Sequence, residues 1–321
     1  MIGLRVTALL AAMVMATPAV AAEVTITVHA GKADSPNYVL AKQFSEALAL
    51  AGNGAYTLVV AESQGSIENV ADIDTVTGAY VFTAAPSVIR QARRGDKPFV
   101  KNPHYDRIRA LFPIPAQTIH WVVRRDGTIK DFADLAGQSF IPGTRGTLSE
   151  RVTEETFQAL GIGETVQLID SDAAGAPTAL KDKQIGGFAT VGSFPLSSLV
   201  QLAKTTPLRL LSMPPSAIAK VHAADDSMMA IVIPRGTYPG IEHDITTLAL
   251  PAAAYTTLSM SNATAYALTK AFWSQRLTLI KKNPAWAAIL PSKLASLGVR
   301  LHPGALRYYR EIGIAVPRSL R

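Results

Sequence analysis

Cysteine is absent from this chain of 321 residues, and only 7% of its residues are aromatic and 17% charged. Without cysteine there is no thiol nucleophile, no thiolate zinc or iron–sulfur site and no disulfide, whichever compartment the protein occupies. The fold must therefore rest on its apolar core, to which 48% hydrophobic residues can contribute. Chains of about 300 residues usually divide into cores of roughly 100 to 200 residues each. We therefore expect two lobes.

Long apolar segments are also scarce, and none reaches the roughly 20 residues that span a bilayer. The apolar stretch 6–15 follows a single positive charge, Arg5, and small residues lead from it to the first acid, Glu23. This layout is typical of a cleavable secretory signal peptide rather than of a membrane anchor. We predict that residues 1–22 are removed near Ala22 and that the mature protein is periplasmic.

The formal net charge is +7, from 31 Lys and Arg against 24 Asp and Glu. The basic residues are scattered, and no basic helix carries interleaved aromatic side chains, so nucleic acid is not favoured as a partner. This charge supports an attraction for small anions.

Short β-branched runs alternate with helical patterns, which is typical of an α/β protein with mostly parallel strands. The first alternation predicts strands at 24–28, 56–61, 79–82, 108–112 and 118–123, and helices at 37–50, 67–73 and 86–94. The second predicts strands at 139–141, 166–169, 187–190 and 208–211, and helices at 147–160, 173–180 and 195–203. An extended run at 248–258, a long helix at 263–282 and a helical tail at 285–314 follow.

This order predicts two lobes, each a mostly parallel sheet flanked by helices, joined by crossing strands. Lobe I comprises residues 23–123 and 250–321, and lobe II comprises residues 124–249. In open α/β sheets, ligands bind beyond the carboxyl ends of the strands and at helix N-termini. We therefore expect the functional site in the cleft between the lobes.

Patterns that carry catalytic chemistry are missing. Neither Ser139 nor Ser193 has glycine two residues away on both sides, and the glycines at 161–163 lack the third glycine of the dinucleotide pattern. The six histidines form no close helical pair of the kind that metals favour, so each is more typical of a surface or satisfied structural residue. We predict no enzyme activity, no metal and no cofactor.

Three segments are distinctive: GSIENV at 65–70, GTRGTLS at 143–149 and LHPGALRYYREIGI at 301–314. With the signal peptide, and with 129–141 and 206–211 also fitting in order, the mature chain resembles the TAXI family of extracytoplasmic solute receptors. These receptors are the binding components of tripartite ATP-independent periplasmic (TRAP) transporters. The resemblance implies a periplasmic-binding-protein type II fold that closes over a small organic anion, such as glutamate or 2-oxoglutarate, and delivers it to the TRAP membrane subunits. It implies no cofactor.

The resemblance also implies where the ligand binds. The candidate ligand-binding residues are Tyr38, Gln64, Gly65, Ser66, Thr83, Thr144, Arg145, Gly146, Thr147 and Ser193. A helix beginning at Ile67 or Thr147 would offer unpaired backbone N–H groups to a carboxylate. Ser66 and Thr147 would also act as N-caps without any ligand, and Tyr38 fits a buried helix position equally well.

The chain departs from the family's pattern within the second glycine loop. Arg145 stands in place of a proline, Thr147 in place of a serine and Leu148 in place of the last glycine. Arg145 could clamp a carboxylate with two hydrogen bonds, although an arginine on a loop is also commonly solvated. After the third strand, where members of the family often have an acidic residue, the polar side chain in this chain is Thr83. These changes leave the ligand open, and a ligand-dependent sensor partner on the same fold remains an alternative to a transport receptor.

Overall fold

The computed structural model describes residues 24–321 except Asp34, 52–55, 77–78, Gly146, Asp172 and Asp225. The predicted signal peptide lies outside the described residues. Strands and helices alternate first as β1 (Val24–Gly31), α1 (Pro36–Ala51), β2 (Tyr56–Glu62), α2 (Ser66–Ala71), β3 (Tyr80–Ala84) and α3 (Pro86–Arg94). β1 pairs in parallel with both β2 and β3. The carboxyl ends of these strands therefore share one edge, from which α1, α2 and α3 begin.

Two long strands then connect the halves of the molecule. β4 (Ile108–Arg124) and β10 (Ile245–Thr257) run antiparallel to each other, with register shifts on β10 after Leu250 and Ala254. The prediction of two separate strands within β4 is wrong, because the strand continues through Pro113 and Pro115. Proline lacks a backbone N–H and is tolerated in a strand where the pairing is irregular.

Between the long strands, the chain forms a second alternation of strands and helices. Its elements are β5 (Ser139–Ile141), α4 (Leu148–Leu160), β6 (Gln167–Leu168), α5 (Ala176–Lys181), β7 (Gly187–Gly192), α6 (Ser197–Ala203), β8 (Leu208–Leu210), α7 (Pro215–Ala224) and β9 (Met229–Ile233). β5 is parallel to β6 and β7, whereas β7 is antiparallel to β4. Neither α7 nor β9 is among the elements predicted from the sequence.

The C-terminal part returns to the first half of the fold. It contains α8 (Asn262–Ser274), α9 (Arg276–Lys282) and α10 (Pro303–Glu311). The predicted single helix 263–282 is divided at Gln275, whose φ of −93° and ψ of 9° depart from the helix. The predicted helical tail is also only partly correct, because Pro284 and Pro291 open short 3₁₀ turns before α10 begins. Proline at the start of a helical turn leaves no N–H to pair with a preceding turn.

The ten strands found among the described residues form one sheet, in the order β2-β1-β3-β10-β4-β7-β5-β6, with β8 beside β4 and β9 beside β10. One apolar core is drawn from residues 26–114 and 252–320, and two further clusters are drawn from residues 119–248. In the structure, lobe I is the part with the core of residues 26–114 and 252–320, and lobe II is the part with the two clusters of residues 119–248. β4 and β10 each contribute one part to the core of lobe I and the other part to the clusters of lobe II. These two strands therefore connect the lobes. Among the described residues, no helix has the length and apolar character needed to cross a membrane.

Candidate ligand-binding site between the lobes

Tyr38 lies in the first turn of α1. Its backbone N–H donates to Ser35 Oγ at 3.3 Å, and its half-buried side chain packs against the core of lobe I. The face of α1 that borders a cavity shared with lobe II is formed by Val39, Leu40 and Gln43 instead. Tyr38 therefore contacts its own lobe in this arrangement.

The turn after β2 contains the next two candidates. Gln64 is exposed, and its backbone N–H donates to the carboxylate of Glu68. Gly65 has a φ of 105°, a value that favours glycine, and its N–H donates to Ser63 Oγ at 3.2 Å. The sharp turn thus depends on Gly65 for its backbone conformation.

Ser66 follows as the first residue of α2. The prediction that it caps a helix beginning at Ile67 is wrong, because the helix begins at Ser66 and Gly65 takes the N-cap position without a side-chain bond. Ser66 Oγ instead accepts the backbone N–H of Ala85 at 3.3 Å, just before α3. This hydroxyl connects the starts of two neighbouring helices.

Thr83 is buried at the end of β3, with 4% of its surface exposed. Its hydroxyl donates to the carbonyl of Ala30 at 2.9 Å, and its own carbonyl accepts from Asn69 Nδ2 at 2.9 Å. Asn69 Nδ2 also lies 3.2 Å from the carbonyl of His29. These bonds fix the ends of β1 and β3 to α2, and the Thr83 hydroxyl is engaged within lobe I.

Thr147 caps α4, as predicted. Its Oγ1 accepts the backbone N–H of Glu150 at 3.4 Å and donates to the carbonyl of Thr144 at 2.6 Å. The bonds close the loop onto the start of a 13-residue helix. Gly146, the candidate between them, lies outside the described residues.

Arg145 projects from this loop with 75% of its side chain exposed, and it forms an ion pair with Asp170. The hydrogen bond that the Arg145 guanidinium donates to the Asp170 carboxylate raises the pKa of this guanidinium. Its partner in this structure is therefore a carboxylate of its own lobe. Binding a ligand carboxylate would require Arg145 to exchange or share that partner.

Ser193 lies in the loop 192–196 that joins β7 to α6. Its hydroxyl donates to the carbonyl of Ala116 on β4 at 3.1 Å. The backbone N–H of Leu196 donates to the Tyr238 hydroxyl at 2.9 Å, and this hydroxyl lies 2.9 Å from His120 Nε2. The loop is thus held to β4 at both of its ends.

The ring of His120 is fully buried, and burial lowers its pKa to about 4. The ring is therefore neutral near pH 7. Its Nδ1 lies 3.0 Å from the carbonyl of Thr118 and carries the proton, since a carbonyl can only accept. Nε2 is left as an acceptor for Tyr238, whose own pKa is raised by burial. The sequence patterns indicated that His120 is a surface or a satisfied structural residue, and nothing in them indicated its partner.

Two cavities lie between the lobes beside the loop 192–196. The first has a volume of 520 Å³, and its walls include Gln43, Lys282 and Asn283 from lobe I and Ser193, Pro195 and Gln201 from lobe II. The second has a volume of 680 Å³, and its walls include Pro284, Ala288 and Leu290 from lobe I and Phe194, Pro195 and Ile231 from lobe II. Of the predicted site residues that the structure describes, Ser193 alone lines either cavity.

A salt bridge also connects the lobes. Arg90 on α3 of lobe I lies 2.9 Å from the carboxylate of Asp226, in the turn between α7 and β9 of lobe II. Both side chains are substantially exposed, at 36% and 71%. The pair depends on how the lobes are oriented, because its two members belong to different lobes.

No group of three or more His, Asp or Glu side chains is placed to hold a metal ion in the part of the chain that the structure describes. The described residues around the two cavities have hydroxyl, amide or apolar side chains, except for one lysine and one glycine. This arrangement is suited to binding a small organic molecule.

Comparison with solved structures identifies proteins of similar fold. A ligand-free TctC solute-binding protein from Polaromonas is 12% identical, with a TM-score of 0.50, over 86% of this chain and 89% of that chain. MatC from Rhodopseudomonas palustris, with bound malate, is 11% identical, with a TM-score of 0.49, over 90% and 96%. At 12% identity, the first likeness concerns the fold, and the predicted periplasmic-binding-protein type II fold is confirmed.

The sequence itself matches a family model, that of the NMT1-like family, over residues 28–313. The matched segment takes in both lobes and both crossing strands. The solute-receptor type of family predicted from the sequence motifs is thereby confirmed. The chain belongs to the NMT1-like family, whose members are solute-binding proteins rather than enzymes.

Proposed function

We propose that this protein is the extracytoplasmic receptor of a TAXI-type TRAP transporter. It binds a small carboxylate or amino acid between its lobes and delivers it to the membrane subunits. Removal of the signal peptide near Ala22 releases it into the periplasm. Family membership supports the solute-binding class, and the motifs at 65–70, 143–149 and 301–314 support the transporter type.

The cavities beside the loop 192–196 carry this proposal, because both have walls from lobe I and from lobe II. A solute there contacts both cores at once. Such a solute stabilises the arrangement in which the lobes are closest, and closure is the signal a membrane partner can recognise. The connection through β4 and β10 allows this motion without disrupting either core.

The charges favour an anion. Lys282 is the one charged side chain among the described residues that line the two cavities, and the whole chain has a net charge of +7. We propose that the turn Gln64–Ser66 and the loop 144–147 complete the site when the lobes close. There the capped N-terminus of α4 and the guanidinium of Arg145 would add positive potential.

Thermal unfolding of residues 23–321, refolded to remove any carried-over solute, tests the binding function. The panel contains amino acids, keto acids, dicarboxylates and aromatic acids. A ligand at about 100 times its Kd adds roughly 2.7 kcal/mol to the free energy of unfolding, which raises the Tm measurably. A shift with one chemical series supports the proposal, whereas no shift with any acid or amino acid contradicts it.

The transport role needs a separate measurement. The ligand-saturated protein is used to capture partners from solubilised membranes, with the ligand-free protein as the matched control. Recovery of TRAP membrane subunits supports the proposed role as a transport receptor. Recovery of a receptor's periplasmic domain instead supports a ligand-dependent sensor partner on the same fold.

A further inference from the structure

The larger of the two inter-lobe cavities is lined almost entirely by apolar groups. Phe194 and Ile231 of lobe II face Ala288 and Leu290 of lobe I, and no residue of this lining is charged. Thr237 and Thr246 contribute hydroxyls, and the Thr237 hydroxyl already donates to the carbonyl of Pro234 at 2.6 Å. The cavity therefore fits an apolar group.

Two side chains at this cavity expose apolar surface that a ligand would cover. Val232 on β9 is 46% exposed and Leu290 of lobe I is 48% exposed, although both are large and apolar. They come from opposite lobes and line the same cavity. Covering both with an apolar ligand removes that surface from water and favours the arrangement in which they are close together.

The smaller cavity is different, because its mixed lining includes amide and hydroxyl side chains and the cationic Lys282. Lys282 forms an ion pair with Glu46, and this contact lowers the pKa of the Glu46 carboxyl. An ammonium group has three donors, so an ion pair with one carboxylate leaves donors for another. Gln43 Oε1 accepts from Trp286 Nε1 at 2.8 Å, which leaves the amide NH₂ of Gln43 as a further donor.

The two cavities meet at a pair of prolines. Pro195 of lobe II and Pro284 of lobe I line both of them. A ligand that passes between these prolines places one end among the donors of the smaller cavity and the other end against the apolar walls of the larger one. A second carboxylate at the apolar end would lose water without gaining a cationic partner, which is costly.

We propose that the solute is a monocarboxylate with an apolar aromatic or branched body, its carboxylate at Lys282 and its body against Phe194, Ile231 and Leu290. This inference rests on the proposed binding function and narrows it to one substrate class. Short dicarboxylates are poor ligands, because the larger cavity has no charged group for their second carboxylate.

Isothermal titration calorimetry with three probes tests the substrate class. The probes are 3-phenylpropanoate, its neutral amide 3-phenylpropanamide, and glutarate, which carries a second carboxylate in place of the ring. We expect 3-phenylpropanoate to bind at least about tenfold more tightly than the other two, since each lacks one of the two complementary interactions.

Variants of exposed residues locate the site. We expect Lys282→Gln and Leu290→Asn each to weaken binding of 3-phenylpropanoate by about tenfold, and Glu46→Gln to strengthen it by releasing Lys282. Leu277→Asn is the matched control, because Leu277 is 71% exposed on α9 and lines neither cavity. Its Kd should equal that of the unchanged protein.

The outcomes separate this inference from the function on which it rests. If glutarate or glutamate binds more tightly than 3-phenylpropanoate, the substrate class is wrong and the receptor function stands. If 3-phenylpropanoate binds but Lys282→Gln and Leu290→Asn leave its Kd unchanged, the ligand lies elsewhere and the inference is overturned. If no acid or amino acid binds, the proposed binding function itself fails.

Discussion

The Tyr238 hydroxyl lies 2.9 Å from Nε2 of His120, across 118 residues of chain. The same hydroxyl accepts the backbone N–H of Leu196 at 2.9 Å, so a chain of hydrogen bonds runs from the buried His120 on β4 to the cavity-lining loop 192–196. Because β4 is also a crossing strand, the connection between lobes and the wall of the cleft share one set of contacts.

Replacing Tyr238 with phenylalanine removes both bonds while keeping the ring. We expect Tyr238→Phe to lower the free energy of unfolding by about 1–3 kcal/mol, because the Leu196 N–H and the His120 Nε2 lose their partner. We also expect weaker ligand binding, since Leu196 anchors the loop that carries Ser193 and Pro195. Urea unfolding and calorimetry measure the two effects, with Tyr56→Phe on β2 of lobe I as the matched control. A loss of stability with an unchanged Kd would limit the role of Tyr238 to folding.

The buried ring of His120 makes stability depend on pH. Burial lowers its pKa in the folded state from 6.5 to about 4, so the unfolded state binds the proton more readily. The stabilising contribution of the neutral His120 ring is fully present above pH 6.5. The free energy of unfolding then falls as the pH is lowered from 6.5 towards 4. The loss is about 3 kcal/mol once the pH is below both values. Burial also lowers the pKa of His302, which adds a loss of the same sign.

Urea unfolding between pH 4 and 8 measures this dependence. We expect His120→Asn to have a flatter profile between pH 6.5 and 4 than the unchanged protein, whatever its stability at pH 8. Equal slopes for the two proteins would show that another group is responsible. The exposed carboxylates with lowered pKa values, such as Asp126 and Asp134, lose their contribution to stability as the pH falls through their ordinary value of 3.8 and below.

The salt bridge between Arg90 and Asp226 favours one orientation of the lobes. We expect Asp226→Asn to change the free energy of unfolding by less than about 1 kcal/mol, because the pair is exposed. It should nevertheless broaden the distance distribution between spin labels at Leu50→Cys in lobe I and Lys220→Cys in lobe II. The chain has no native cysteine, so these are the only labelled sites. Asp96→Asn, which removes an ion pair with Arg94 on lobe I alone, should leave the distribution unchanged.

Variants of Arg145 and Asp170 test whether the loop 143–149 takes part in binding the ligand. If Arg145 reaches the carboxylate on closure, Arg145→Gln weakens binding by several-fold and Asp170→Asn strengthens it, because the guanidinium loses its competitor. Arg151→Gln is the matched control, since Arg151 pairs with Glu155 along α4. Calorimetry that gives the same Kd for all three variants would remove Arg145 from the site.

The sequence indicated local features better than distant ones. The Thr147 cap could be predicted because a hydroxyl just before a helical pattern has a strong local preference. Ser66 offered the same signal, but Gly65 with its positive φ takes the cap position and leaves the serine to bond with Ala85. Two residues with one pattern thus have different roles, decided by the backbone of the turn before them.

The inter-lobe cavities could not be predicted in the same way. Lys282 and Asn283 lie at the end of a helix of lobe I and carry no motif. They line the same cavity as Ser193 only because the C-terminal helices return to α1. The pairing of His120 with Tyr238 likewise depends on tertiary structure, because neither residue has a distinctive neighbour in sequence. Local patterns could place strands and caps, whereas the walls of the cleft come from segments far apart along the chain.

The antiparallel pairing of β4 with β10 makes the hinge a narrow hydrogen-bonded ribbon rather than two independent tethers. A ribbon of this kind resists sliding of one strand along the other, because sliding would break its ladder, but it twists with little loss of bonding. We therefore expect closure to change the relative orientation of the lobes without shifting the register of β4 against β10.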